Sequence, residues 1–106
     1  MEPAPESDAP ALLGPERVAA LAADLPAWTV VDGRLLRREL RFDDFAGALA
    51  FVNAVGAEAE ARNHHPDLQL GWGRVQVEFT THDAGGLTEA DVTLASRVDA
   101  LLDASS

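Results

Sequence analysis

Trp28-Thr29-Val30-Val31-Asp32-Gly33-Arg34-Leu35-Leu36-Arg37-Arg38-Glu39-Leu40-Arg41-Phe42 is the stretch that decides the fold. Asp-Gly between two apolar-bearing runs is a strong hairpin signal, because both residues tolerate the left-handed backbone of a two-residue turn. Strands are therefore expected over 28–31 and 35–42. In the second, Leu36, Leu40 and Phe42 alternate with Arg37, Glu39 and Arg41, the pattern of a sheet with one buried and one wet face.

Downstream, Asp43 or Asp44 can cap a long helix from about 45 to 62. At 100° per residue, Phe45, Ala48, Leu49, Val52, Val55, Gly56 and Ala59 form one stripe, expected to face the core. Ala46, Ala50, Ala54, Ala57 and Ala61 occupy the back, either as helix formers on a solvated face or as a close subunit contact. Asn63 and Pro66 close the helix. Leu68, Leu70 and Trp72 then alternate, Gly73 turns the chain, and Val75, Val77, Phe79 and Thr81 alternate with polar residues up to His82. This is a second antiparallel pair. Gly85-Gly86 breaks it, and Thr88-Glu89-Ala90-Asp91 reads as a capping box with Asp in place of Glu, opening a last helix that runs to about 102 and frays at Ala104-Ser105-Ser106.

Upstream, Gly14-Pro15-Glu16 is a helix start with proline at the first helical position, and Val18, Leu21, Ala22 and Leu25 recur at helical spacing until Pro26. The expected order is α-β-β-α-β-β-α: an α+β fold whose helices pack on one face of a four-stranded antiparallel sheet. Residues 12–103 are expected to form one domain, and the acidic, proline-bearing stretch 1–11 a disordered leader.

The chain has 106 residues, enough for one compact domain, and 47% of them are hydrophobic, enough for a real core. Eighteen acids against eight bases leave a net charge of -10; every base is Arg and none is Lys. That field disfavours nucleic acid and anionic membranes, which need clustered cations. Without cysteine there is no disulfide framework, thiolate nucleophile or cysteine-ligated zinc. No apolar run approaches the ~20 residues of a membrane span, and the N-terminus has neither the basic nor the apolar part of a secretory signal. A cytoplasmic location is expected.

All three histidines, His64, His65 and His82, fall between positions 64 and 82. In a four-stranded antiparallel layout, the loop entering strand three and the end of strand four share one edge, so the trio can converge. Pro66 holds His65 in an extended conformation, pointing two adjacent imidazoles in different directions. Asp91 falls at the centre of the last helix's buried stripe of Leu94, Ala95, Val98 and Leu102, where a carboxylate needs partners. It reads as a capping acid or as a member of a site. Glu60, four residues before His64, reads either as an exposed i,i+4 pair or as a site residue. No serine lies in a nucleophile elbow, and Gly85-Gly86 lacks the lysine of a phosphate loop. Adjacent histidines rarely ligate one ion from a single short loop, and neither HxH nor HExxH occurs, so no metal site is expected. Acid/base work by imidazoles, which as a class titrate near neutrality, is the better match.

Glu60-Ala-Arg-Asn-His64-His65-Pro66, the aromatic Trp72, and Thr80-Thr81-His82-Asp83-Ala-Gly-Gly-Leu87-Thr88-Glu89-Ala-Asp91 together resemble the pterin-4a-carbinolamine dehydratase family. Leu25-Pro-Ala-Trp28, Phe42-Asp-Asp-Phe45 and Phe51-Val-Asn53 extend the likeness over residues 12–102. Leu68 stands where an aromatic is common, and Ala27 where glycine is frequent. The resemblance implies an enzyme that dehydrates 4a-hydroxytetrahydrobiopterin to quinonoid dihydropterin, recycling the cofactor of aromatic amino acid hydroxylases. It implies His64, His65 and His82 as the catalytic set, and Glu60, Pro66, Trp28, Thr81, Asp83 and Asp91 as substrate-binding positions, with Trp28 as a hydrophobic wall. No cofactor is expected. The implied partners are the pterin substrate, further copies of the chain as a homodimer or homotetramer, and a hydroxylase of the same pathway. The other class the resemblance allows is a non-catalytic binding module of the same fold, a dimerisation cofactor or an assembly factor.

Overall fold

In the computed structural model, residues 11–105 are described; apart from Ala11, the leader expected over 1–11 lies outside them. The chain forms α1 (Pro15–Asp24), β1 (Thr29–Val31), β2 (Leu35–Arg41), α2 (Phe45–Ala61), β3 (Asp67–Gly71), β4 (Arg74–Phe79), a 3-10 turn (His82–Ala84) and α3 (Glu89–Ser105). The sheet order is β1-β2-β4-β3 with every neighbouring pair antiparallel. This is the expected α+β arrangement.

Both hairpins follow from their turn residues. Asp32 and Gly33 adopt positive φ of 54° and 67°, and the Arg34 N–H donates to the Val31 carbonyl at 2.9 Å. Gly73, at φ 63°, closes the second hairpin. It also receives the Phe42 N–H on its carbonyl at 2.8 Å, and a Cβ on it would stand 2.6 Å from the Phe42 carbonyl oxygen. Glycine is required there twice over, by conformation and by space.

The period of two places Leu36, Leu40, Val75, Val77 and Phe79 on the buried face. Arg37 and Glu78, directly opposite in register, pair at 2.5 Å on the other face. Arg38 is the exception on β2: it stands between the two buried leucines, opposite Val77, and pairs with Asp99 of α3. Asp99 also accepts the indole N–H of Trp28 at 2.9 Å. A charge on the apolar face is thus tolerated because α3 brings its counter-ion over the sheet.

The Asp44 side chain caps α2, accepting the Gly47 N–H at 2.8 Å. The buried positions of α2 are Ala48, Phe51, Val55 and Ala59, whereas Phe45 and Leu49 are each 40% exposed. The expected stripe is therefore rotated. Because α2 is apolar nearly all round, two overlapping 3.6-residue stripes were available, and Phe51 wins by packing on Phe42 with ring centroids 5.3 Å apart. Of the back-face alanines, Ala46, Ala57 and Ala61 are exposed, while Ala50 and Ala54 line an apolar cleft with Leu101 and Leu102 of α3. Helix α3 extends to Ser105, past the expected end near 102. Among the described residues no helix is long and apolar enough to cross a membrane.

Arg17 of α1 reaches Glu89, the first residue of α3, at 2.9 Å. Its hydrogen bond holds the Glu89 carboxyl below the usual carboxylate range. A depressed carboxylate stabilises the fold above its unfolded titration range and loses that contribution as pH falls. In Arg17→Gln the Glu89 carboxyl should titrate at higher pH, as read by side-chain NMR. Gly73→Ala should lower unfolding stability by about 2–4 kcal/mol in a urea titration, since a backbone clash is added to a left-handed φ.

Candidate active site

Three segments meet beyond one end of the sheet, where β3 begins and β4 finishes. The first is the end of α2. Asn63 turns left-handed at φ 52°, its N–H donating to the Glu60 carbonyl at 3.2 Å, while the His64 N–H donates to the Ala59 carbonyl at 3.1 Å. This is a Schellman closure with asparagine in the position glycine usually takes. It swings His64 toward α3 and leaves His65, held extended before Pro66, to fold back over the helix end.

The second segment follows β4. The strand stops at Phe79, short of the expected end at His82, because Thr81 pairs with Gly86 across a closed loop (N–H to O, 2.9 Å) instead of extending the ladder. His82 opens the 3-10 turn inside that loop, and Gly85 completes it at φ 78°. The third segment is the first turn of α3. Asp91 accepts the Thr88 N–H at 2.9 Å, half of the expected capping box. The Thr88 hydroxyl does not return to the helix but contacts the Thr81 hydroxyl at 2.8 Å.

Asp91 is fully buried. Its Oδ2 accepts from the Thr81 hydroxyl at 2.7 Å and from the Thr88 N–H, and its Oδ1 contacts His64 Nε2 at 2.5 Å. Thr81 has a single hydroxyl proton and gives it to Asp91, so the Thr88 hydroxyl is the donor in the Thr81–Thr88 contact. A carboxylate only accepts, so Nε2 of His64 carries its hydrogen toward Asp91 and Nδ1 is the nitrogen left available. The His64 ring lies nearly parallel to Phe79, 14° between planes at 6.4 Å. Carboxylate and phenyl ring together determine its orientation.

Glu60 does not pair with His64, as its i,i+4 spacing suggested, but with His65, whose Nε2 lies 2.7 Å from Glu60 Oε1. The left-handed Asn63 breaks the helical geometry on which that spacing rule depends, so the second histidine returns over Glu60. The pair is exposed, the carboxylate more so than the ring. Among the described residues the His82 side chain has no hydrogen-bond partner.

His64, His65 and His82 line one open cavity of about 250 Å³, together with Asn63, Thr80, Thr81 and Asp83. That lies just below the roughly 300 Å³ at which small-molecule sites usually begin, and suits one flat heterocycle better than a dinucleotide. Asp91 and Glu60 stand behind the first two imidazoles. Pro66 is half-buried outside the cavity lining and acts on the backbone of His65. Trp28, expected as a wall, is only 5% exposed, packs on Phe79 at 5.8 Å and lines neither this cavity nor the one beside it. Its donation to Asp99 pulls it into the core, so the apolar backing of His64 is Phe79. Asn63 and Thr80 were absent from the expected set; an asparagine at a helix end directly before two histidines was the available signal for the first. No group of three or more His, Asp or Glu side chains among the described residues is arranged to hold a metal.

A family model described as "Pterin 4 alpha carbinolamine dehydratase" matches residues 11–101. The chain belongs to that family. Among pterin carbinolamine dehydratase relatives, a protein of Rubrobacter xylanophilus named "Putative pterin-4-alpha-carbinolamine dehydratase" is 51% identical over 86 residues, covering 81% of this chain and 80% of its own length. A protein of the same name from Chlorobium limicola is 46% identical over 100 residues, covering 92% of this chain and 88% of its own. Two solved structures share the fold. A "transcriptional coactivator/pterin dehydratase" from Brucella melitensis superposes with a TM-score of 0.78 at 32% identity, covering 83% of this chain and 95% of its own. A "pterin dehydratase-like protein" described as a RuBisCO assembly factor in the alpha-carboxysome superposes at 0.60 with 28% identity, covering 71% and 88%.

Within this member of the family, Asp91 ties the first turn of α3 to Thr81 and to His64, 10 and 27 residues away in sequence. Asp91→Ala should lower unfolding stability by about 2–4 kcal/mol, because it leaves the Thr81 hydroxyl, the Thr88 N–H and His64 Nε2 without their acceptor. Chemical denaturation with far-UV circular dichroism reads the loss directly.

Proposed function

We propose that the protein is a 4a-hydroxytetrahydrobiopterin dehydratase, working by general acid/base catalysis without a cofactor. The observation that carries this reading is the meeting of all three imidazoles around one small cavity, with His64 oriented by a buried carboxylate. The reaction needs little else. The C4a–O bond breaks, an imidazolium gives its proton to the departing oxygen, and water leaves. The N5 lone pair forms the C4a=N5 bond as a second imidazole takes the N5 proton. Because the substrate supplies its own electron push, no electron acceptor or covalent nucleophile enters the balance.

His64 and His82 carry the proton transfers, and His65 positions the ring. Asp91 holds Nε2 of His64, which leaves Nδ1 as its proton-transfer atom. His82 keeps both nitrogens for substrate and solvent. Glu60 limits the swing of His65, and Thr81 and Asp83 supply polar edges. Each positioned acid or base is worth roughly 10²–10⁴-fold, which is enough for a carbinolamine that already breaks down unaided. The same proposal places the protein in the cytoplasm, as a homodimer or homotetramer, serving an aromatic amino acid hydroxylase.

A second reading, a non-catalytic binding module, is favoured by the likeness to the RuBisCO assembly factor. Stopped-flow dehydration of chemically generated carbinolamine separates the two. His82→Ala should slow dehydration at least about tenfold with unchanged helix content. An unaltered rate removes His82 from the mechanism, and no acceleration by the parent protein leaves the binding module standing.

A further inference from the structure

Thr88 stands immediately before α3, where a hydroxyl ordinarily caps the helix, and it does not cap. The Asp91 N–H, which such a hydroxyl would take, donates instead to the Thr88 carbonyl at 3.1 Å. The Thr88 side chain leaves its own helix for the Thr81 hydroxyl at 2.8 Å, and among the described residues it has no other partner. Departures from the role that local position favours concentrate at functional sites.

Thr88 is only 2% exposed and is not part of the three-histidine cavity's lining, so its hydroxyl is out of reach of a ligand there. Thr81 does line that cavity. A hydroxyl has one proton and two lone pairs. With the Thr88 proton on one lone pair, Thr81 aims its own proton at Asp91 Oδ2, 2.7 Å away, and the Thr88 N–H holds the same oxygen at 2.9 Å. Two donors on Oδ2 fix the carboxylate plane and leave Oδ1 to face His64 Nε2. The chain of donors therefore runs from Thr88 to Thr81 to Asp91, with His64 donating from the far side. Hydroxyls in series polarise one another, so each link strengthens the next. Released from Thr88, the Thr81 hydroxyl is free to turn its proton into the cavity and away from the acid.

We propose that Thr88 is a positioning residue for the proton-transfer histidine: its hydroxyl, acting through Thr81 and Asp91, holds the His64 ring with Nε2–H fixed and Nδ1 left for chemistry. The inference rests on reading His64 as one of the proton-transfer groups. Because Thr88 touches no ligand, its hydroxyl acts on the chemical step and not on binding. The backbone N–H of Thr88 supports Asp91 whatever the side chain, so the role belongs to the hydroxyl alone.

Thr88→Val keeps the shape and removes the hydroxyl, whereas Thr88→Ser keeps the hydroxyl. In the 15N-labelled parent protein, His64 Nε2–H should give a slowly exchanging ring N–H resonance, because Asp91 is sealed from water, while the exposed His65–Glu60 pair should not. Thr88→Val should speed exchange of that proton about fivefold and lower kcat for stopped-flow dehydration about fivefold, with KM within about twofold of the parent, and Thr88→Ser should restore both. If the valine variant does not fold, Thr88→Cys, whose S–H is a weak donor, makes the same comparison. A slow Nε2–H missing from the parent, unchanged exchange in the variant, a loss seen in KM instead of kcat, or a serine variant as impaired as the valine would overturn the positioning role. A parent protein that does not accelerate dehydration retires the catalytic reading, and the hold of Thr88 on the ring then stands or falls on the Nε2–H exchange alone.

Discussion

A single buried carboxylate organises the functional end of the molecule. Asp91 receives the Thr81 hydroxyl at the end of the sheet, its own helix's Thr88 N–H, and Nε2 of His64 from the loop after α2. A charge at zero exposure would cost several kcal/mol if unpaired. Here the first turn of α3 adds free N–H groups and the favourable end of the helix dipole. The cost is met only when all three segments are in place, so the order of the site and the packing of the fold are one condition. Thr81 is the hinge of that arrangement: its backbone closes the loop that carries His82, and its side chain holds the acid that orients His64.

Two adjacent histidines can do different work because the backbone separates them. The left-handed Asn63 and the restriction before Pro66 send one ring toward α3 and the other back over α2. Each then meets its own carboxylate in a different environment: Asp91 is sealed from water, Glu60 is exposed. The half-buried ring has one nitrogen committed and one available. The exposed ring keeps more freedom, and His82 has no carboxylate behind it among the described residues. This graded restraint is produced by helix-end and proline geometry.

Much of the architecture was legible in residue order. The Asp32-Gly33 turn, the alternation along β2 and β4, and the capping signal at Asp44 are local, and each acts through its own backbone, whereas of the box at Thr88 only the Asp91 half forms. The convergence of the three histidines followed from strand order alone. What could not be read was which of several equivalent surfaces would be covered. Helix α2 offers two apolar stripes of the same period, and the packing of Phe51 on Phe42 decides between them. Trp28 illustrates the same point from the polar side: its indole N–H found Asp99, 71 residues away, and the ring left the site for the core.

By itself, then, the order of amino acids determined the secondary structure, the antiparallel topology and the set of imidazoles available for chemistry, because turns, caps and alternation depend on neighbours within a few residues. Tertiary structure alone decided the pairing: His64 with Asp91, His65 with Glu60, Arg38 with Asp99. These depend on the distance between atoms brought together by packing, and one left-handed residue at position 63 is enough to exchange which histidine a helical spacing rule would have matched to its acid.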